Sequence, residues 1–163
     1  MMVDPEIYFL YPAELFASQK PYQINTILGS CVAVCFWDTV LKYGGMCHYM
    51  LPLWNGTGLA SPKYGNIAIE RLLEKMIAFG SNKINIVSKI FGGGEVIDVK
   101  NQHFYIGERN IELAIKMIKN HNIPIISSST GGKLGRKIIF YTHTGEVKQR
   151  YVQRKITNFD DIK

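Results

Sequence analysis

Among the residues able to do covalent chemistry, one cysteine and one histidine stand out by their setting. Cys31 follows Gly29-Ser30 and heads the run Cys31-Val32-Ala33-Val34-Cys35-Phe36-Trp37. His48 lies in Met46-Cys47-His48-Tyr49-Met50-Leu51, after Gly44-Gly45 and before Pro52. A glycine just ahead of a thiol permits a tight or left-handed backbone. Backbone N–H groups at Gly29 and Ser30 in such a turn can face a cavity and stabilise an oxyanion. A histidine in the next strand can bring its ring within reach of the thiol, the geometry that a Cys–His nucleophile needs. An imidazolium there would favour the thiolate by charge attraction. The chemistry would be acyl transfer from an amide. Taken singly, a strand histidine is commonly a satisfied core group and Gly-Ser-Cys a simple turn. On the residues alone, the catalytic and structural readings both stand.

The other candidates are weaker. Cys35 lies inside an apolar strand, on the side of Cys31, and reads as structural, because reactive cysteines sit in partly exposed electropositive places. Zinc held by Cys31, Cys35, Cys47 and His48 is disfavoured. Structural zinc takes cysteine pairs from loops or knuckles, and the neighbours Cys47 and His48 point to opposite faces of a strand. The same alternation turns Cys47 away from any site that His48 faces. Gly92-Gly93-Gly94 lacks the residues of a phosphate-binding loop and reads as close backbone packing beside a pocket. Thr130-Gly131-Gly132 reads as a turn. His103, His121 and His143 lie in polar segments and are expected at the surface.

The elements that must position these residues follow from periodicity. Residues 1–22, punctuated by Pro12 and Pro21, read as an irregular lead-in with one short strand at most. The run 31–37 is apolar on both faces and reads as a buried strand. Asp38-Thr39 turns the chain, and 46–51 form the next strand, ended by Pro52; a hairpin is the simplest pairing. Residues 54–62 form a loop. Ile69, Leu72, Leu73, Met76 and Ile77 recur at helical spacing, with Gly80 as the stop. A strand at 84–87 continues through Lys89-Ile90-Phe91 into the triple glycine. A second helix spans 108–120, with Glu108 in its first turn, where an acidic side chain suits the helix dipole. Strands follow at 123–127, 137–142 and 147–152, with a turn at Thr144-Gly145. Two amphipathic helices among about seven strands imply an α+β fold. The two-faced strand at 31–37 adds a layer, giving a three-layer α/β/β sandwich with helices on largely antiparallel sheets.

Composition sets the bounds. A chain of 163 residues fits one domain over 1–163 and can bury roughly 70% of its unfolded surface. No apolar run reaches the ~18 residues of a membrane span, and 1–6 lack the pattern of a signal peptide. A cytoplasmic protein without membrane insertion is expected. Three cysteines, an odd count, argue against a disulfide framework. The net charge is +6 and the densest basic run is 148–155. No nucleic-acid motif accompanies it, so a solvated cationic face is favoured over a nucleic-acid site; steering of an acidic protein partner is a further option.

Several motifs together resemble one family. They are Thr26-Ile27-Leu28-Gly29-Ser30-Cys31-Val32-Ala33-Val34-Cys35, Gly44-Gly45-Met46-Cys47-His48-Tyr49-Met50-Leu51-Pro52 and Lys63-Tyr64-Gly65-Asn66-Ile67-Ala68-Ile69, then Lys89-Ile90-Phe91-Gly92-Gly93, Ile106-Gly107-Glu108-Arg109-Asn110 and Thr130-Gly131-Gly132-Lys133-Leu134-Gly135-Arg136-Lys137. In this order, over about 24–150, they resemble CheD, the bacterial chemoreceptor glutamine deamidases. The resemblance implies conversion of glutaminyl to glutamyl side chains on methyl-accepting chemotaxis receptors, with release of ammonia and no cofactor. It implies Cys31 as nucleophile, His48 as acid–base partner and Thr26 as the third member of the site. It also implies an α/β/β sandwich similar to the deamidase domain of cytotoxic necrotizing factor toxins, and in some members binding of the phosphatase CheC. The alternative is a non-catalytic adaptor that binds receptor or CheC, with Cys31 structural.

Overall fold

The computed structural model describes residues 4–95 and 105–152. Nine strands and two helices are present among them. The strands are β1 (Glu6–Phe9), β2 (Glu14–Ser18), β3 (Tyr22–Leu28), β4 (Val32–Asp38), β5 (Tyr43–Tyr49), β6 (Ile86–Gly92), β7 (Ile125–Thr130), β8 (Gly135–Tyr141) and β9 (Val147–Val152); the helices are α1 (Gly65–Ala78) and α2 (Ile106–Asn120). One sheet has the order β1-β3-β8-β9 and the other β2-β5-β4-β6-β7. Only β1–β3 and β6–β7 pair in parallel; the other neighbours are antiparallel.

β4 explains the layering. Its residues are buried on both faces because it is central in its sheet and covered twice. Val32, Val34 and Phe36 pack on one side with Ala68, Ile69, Leu72 and Met76 of α1 and with Ala114 and Ile118 of α2. Ala33 and Cys35 pack on the other with Ile24, Leu28, Ile138 and Phe140 of the four-stranded sheet. Helices, five-stranded sheet and four-stranded sheet therefore stack as α/β/β, as expected. The hairpin is also present: β4 pairs with β5, with Ala33 opposite His48.

Helix ends follow their local chemistry. The N–H groups of Gly65 and Asn66, which lack intrahelical partners, donate to the carbonyls of Leu51 and Pro52 at 2.8 and 3.1 Å. The start of α1 is thus tied to the chain just beyond His48. α1 stops before Gly80, whose φ of 113° is open to glycine.

Three expectations need correction. The first 22 residues hold two complete strands and the start of a third, not one at most. β1 is a largely exposed edge strand and β2 an edge strand without clean alternation, so neither carries a period-2 signal. His121 is half-buried, not exposed: it closes the end of α2 against α1, with Nε2 on Glu70 and Nδ1 3.0 Å from Lys83 Nζ. His143 is likewise partly buried, with its Nδ1 enclosed. His103 lies outside the described residues, as does the 153–155 end of the basic run. No helix among the described residues is long and apolar enough to cross a membrane.

Candidate active site

Thr26, Cys31 and His48 come from three segments and face the space between the sheets. β3 carries Thr26 inward from the four-stranded sheet, in line with the buried Ile24 and Leu28. β5 carries His48 inward from the five-stranded sheet. Since alternate strand residues face opposite ways, Ala33, Cys35, Met46 and His48 look toward the four-stranded sheet. Val34, Cys47 and Tyr49 look toward the helices. Cys31 precedes β4 by one residue and packs, half-buried, on the inter-sheet core. His48 faces the same inter-sheet space from β5, in register with Ala33 of β4.

The proton positions on His48 follow from its partners. Thr26 Oγ1 lies 2.7 Å from the Leu10 carbonyl oxygen and 2.7 Å from His48 Nδ1. A hydroxyl has one proton and a carbonyl can only accept, so Thr26 donates to Leu10. His48 must then donate from Nδ1 to Thr26 Oγ1, and Nε2 keeps its lone pair. His48 is only 1% exposed, and Nε2 has no hydrogen-bond partner among the described residues.

Burial governs the charge state. It pushes the His48 imidazole down to about 4 and the Cys31 thiol up to about 11, against a smaller opposing pull from the Cys31 backbone N–H beside the sulfur. Both groups rest neutral near pH 7. In both groups the larger cause is desolvation in an apolar interlayer.

The turn ahead of the thiol is held from outside. Its three successive carbonyls accept from separate donors: Gly29 from Gly94 N–H at 3.0 Å and Cys31 from Gly93 N–H at 2.9 Å, and Ser30 from Asn110 Nδ2 at 3.0 Å. The triple glycine serves close backbone packing, as read from the sequence. A Cβ at Gly92 would meet the Cys31 carbonyl oxygen at 2.3 Å, and one at Gly93 would meet Ile111 at 2.4 Å. Asn110 was not among the residues expected at the site. Its signal was a polar residue on the buried stripe of α2, with Gly107, Ala114 and Ile118.

The remaining cysteines sit elsewhere. Cys47 lies in the helix-side core with its thiol pushed up to about 12 by burial. Cys35, fully buried and shifted up by the same cause, borders a separate recess of about 150 Å³ with Trp37, Lys89 and Phe140. Among the described residues, no imidazole lines that recess.

Comparison with known proteins places the chain. A family model described as CheD chemotactic sensory transduction matches residues 50–151. A probable chemoreceptor glutamine deamidase CheD of Trichlorobacter lovleyi is 50% identical over 140 residues, covering 86% of this chain and 87% of that protein. A protein with the same description from Sulfurimonas denitrificans is 44% identical over 153 residues, covering 93% and 98%. One from Rhodospirillum rubrum is 38% identical over 149 residues, covering 91% and 84%. The family model covers more than half of the chain and the three relatives each cover more than four fifths of it, and on these matches the chain belongs to the CheD family.

Proposed function

We propose that this protein is a protein-glutamine deamidase acting on chemoreceptors through Cys31, with His48 as acid and base and Thr26 orienting the imidazole. One observation carries the mechanism. The Thr26 bond puts the imidazole proton on Nδ1 and leaves a buried, unengaged Nε2 on the face that Cys31 shares. The relatives' descriptions supply the substrate class, a glutamine side chain on a chemoreceptor.

The chemistry runs from the neutral pair. Cys31 Sγ attacks the carboxamide carbon as its proton passes to His48 Nε2. The developing oxyanion is held by backbone N–H groups at the Gly29-Ser30-Cys31 turn; one such donor typically contributes about 10²–10³ in rate. The imidazolium gives its proton to the nitrogen, the C–N bond breaks and ammonia leaves, with a thioester left on Cys31. Water, deprotonated by His48, then attacks the thioester. The C–S bond breaks, the receptor leaves with a glutamyl side chain, and the thiol regains its proton from His48. Thr26 keeps one tautomer throughout and accepts a stronger hydrogen bond when the ring is charged.

The same reading has the chain act as one domain in the cytoplasm, with a CheC-type phosphatase as a competing partner; the family resemblance supports both. Incubating purified protein with the cytoplasmic fragment of a chemoreceptor, then mapping peptides by mass, tests the activity. Specific glutamines are expected to become glutamates. A fragment that binds yet stays unchanged would contradict the enzyme and leave an adaptor.

A further inference from the structure

Asn110 is fully buried on α2. Its Nδ2 lies 3.0 Å from the carbonyl oxygen of Ser30 and 3.0 Å from that of Met50. Both partners can only accept, which fixes the orientation of the amide. Its Oδ1 is enclosed and without a partner among the described residues. A buried carboxamide with its acceptor unmet is a cost to the fold. An apolar side chain would avoid that cost but would strand two carbonyls.

Those carbonyls belong to the two segments of the site. Ser30 precedes the thiol by one residue, and Met50 follows the imidazole by two. In a trans peptide the C=O and N–H point in opposite directions. Holding the Ser30 carbonyl toward α2 therefore turns the Cys31 N–H away from the helix, to the side of the sulfur, where an attacked amide develops its oxyanion. The hydroxyl of Tyr49, adjacent to His48, in turn donates to the backbone carbonyl of Asn110, so this point of α2 is tied once to the last residue of β5 and once to Met50 just beyond it.

We propose that Asn110 is a positioning residue: its amide bridges the peptide ahead of Cys31 to the chain beyond His48 and fixes the N–H that stabilises the oxyanion. The inference rests on the nucleophilic role of Cys31 proposed above.

Asn110→Asp tests it at constant shape. An ionised carboxylate repels both carbonyls; a protonated one still donates to one of them. Near pH 8, kcat on a chemoreceptor fragment is expected to fall about 10²-fold, as for loss of an oxyanion donor. KM and the rate of Cys31 alkylation by iodoacetamide, which needs no oxyanion donor, stay near wild type. Toward pH 5.5 the buried carboxyl takes up a proton, and kcat recovers relative to wild type at the same pH. Asn110→Ser, which is too short to span both carbonyls, is expected to lower kcat without the pH-dependent recovery, and serves if the Asp variant does not fold. Wild-type kcat in either folded variant overturns the proposal. So does a parallel loss of kcat and alkylation rate, which marks a purely structural role. Cys31→Ala in the same assay separates the two levels. If it remains active, the reading of the site falls and this inference with it. If it is inactive while the Asn110 variants are fully active, the positioning role alone is wrong.

Discussion

Thr26 Oγ1 and His48 Nδ1 meet at 2.7 Å although their strands belong to different sheets. The bond crosses the interlayer, so the packing of the two sheets and the orientation of the imidazole are one arrangement. The Leu10 carbonyl, just past β1, completes it by taking the hydroxyl proton. The site is therefore sensitive to changes that leave Cys31 and His48 untouched.

Thr26→Val removes the hydroxyl at nearly constant volume and strands two buried polar atoms. A stability loss of about 1–3 kcal/mol is expected by thermal or urea unfolding. A drop of about tenfold in kcat is expected from a ring free to adopt the wrong tautomer, equivalent to about 1.4 kcal/mol in the barrier. Thr26→Ser keeps most of both. A valine variant with wild-type kcat would mean that Thr26 does not set the ring.

The resting charge states predict an unusual pH profile. With His48 held near 4, the base is already neutral above that value. The acid limb of kcat/KM is therefore expected near 4 rather than at the ordinary histidine value of 6.5. With the Cys31 thiol held near 11, little thiolate exists at pH 7. Iodoacetamide should alkylate Cys31 more slowly than a free cysteine at neutral pH, with the rate climbing toward pH 11. Rapid alkylation at pH 7 would show a preformed thiolate and contradict the neutral pair.

Stability should depend on pH through the same histidine. The unfolded chain binds a proton on His48 below about 6.5, whereas the folded chain does so only below about 4. Between those values the unfolded state carries more protons, so stability is full above the upper value and is lost as the pH falls toward the lower one. The loss is on the order of 3 kcal/mol, since each tenfold difference in proton affinity between the two states corresponds to about 1.4 kcal/mol. Urea midpoints measured from pH 7 to pH 4 check this. His48→Gln, which takes up no proton, is expected to flatten this component of the slope; an unchanged slope would place the titration elsewhere.

Much of this was legible in the chain and some was not, for physical reasons. The hairpin was readable because β4 is apolar on both faces and β5 ends near a proline. Both helices were readable from their periodicity, and Gly80 marked the end of the first. Residues 1–22 allowed one strand where β1 and β2 both form, because neither edge strand carries a clean buried alternate face. The downward shift of His48 was not readable, since it depends on how deeply the interlayer encloses the ring. Asn110 was missed for another reason. Its partners Ser30 and Met50 lie 80 and 60 residues away, and only its place on an apolar helix face hinted at a role.

The most direct test is deamidation by Cys31→Ala protein, first shown to unfold like wild type. On a chemoreceptor cytoplasmic fragment, peptide mapping by mass should find the target glutamines intact, while Cys35→Ala protein converts them. Conversion by Cys31→Ala at the wild-type rate would contradict the thiol mechanism outright.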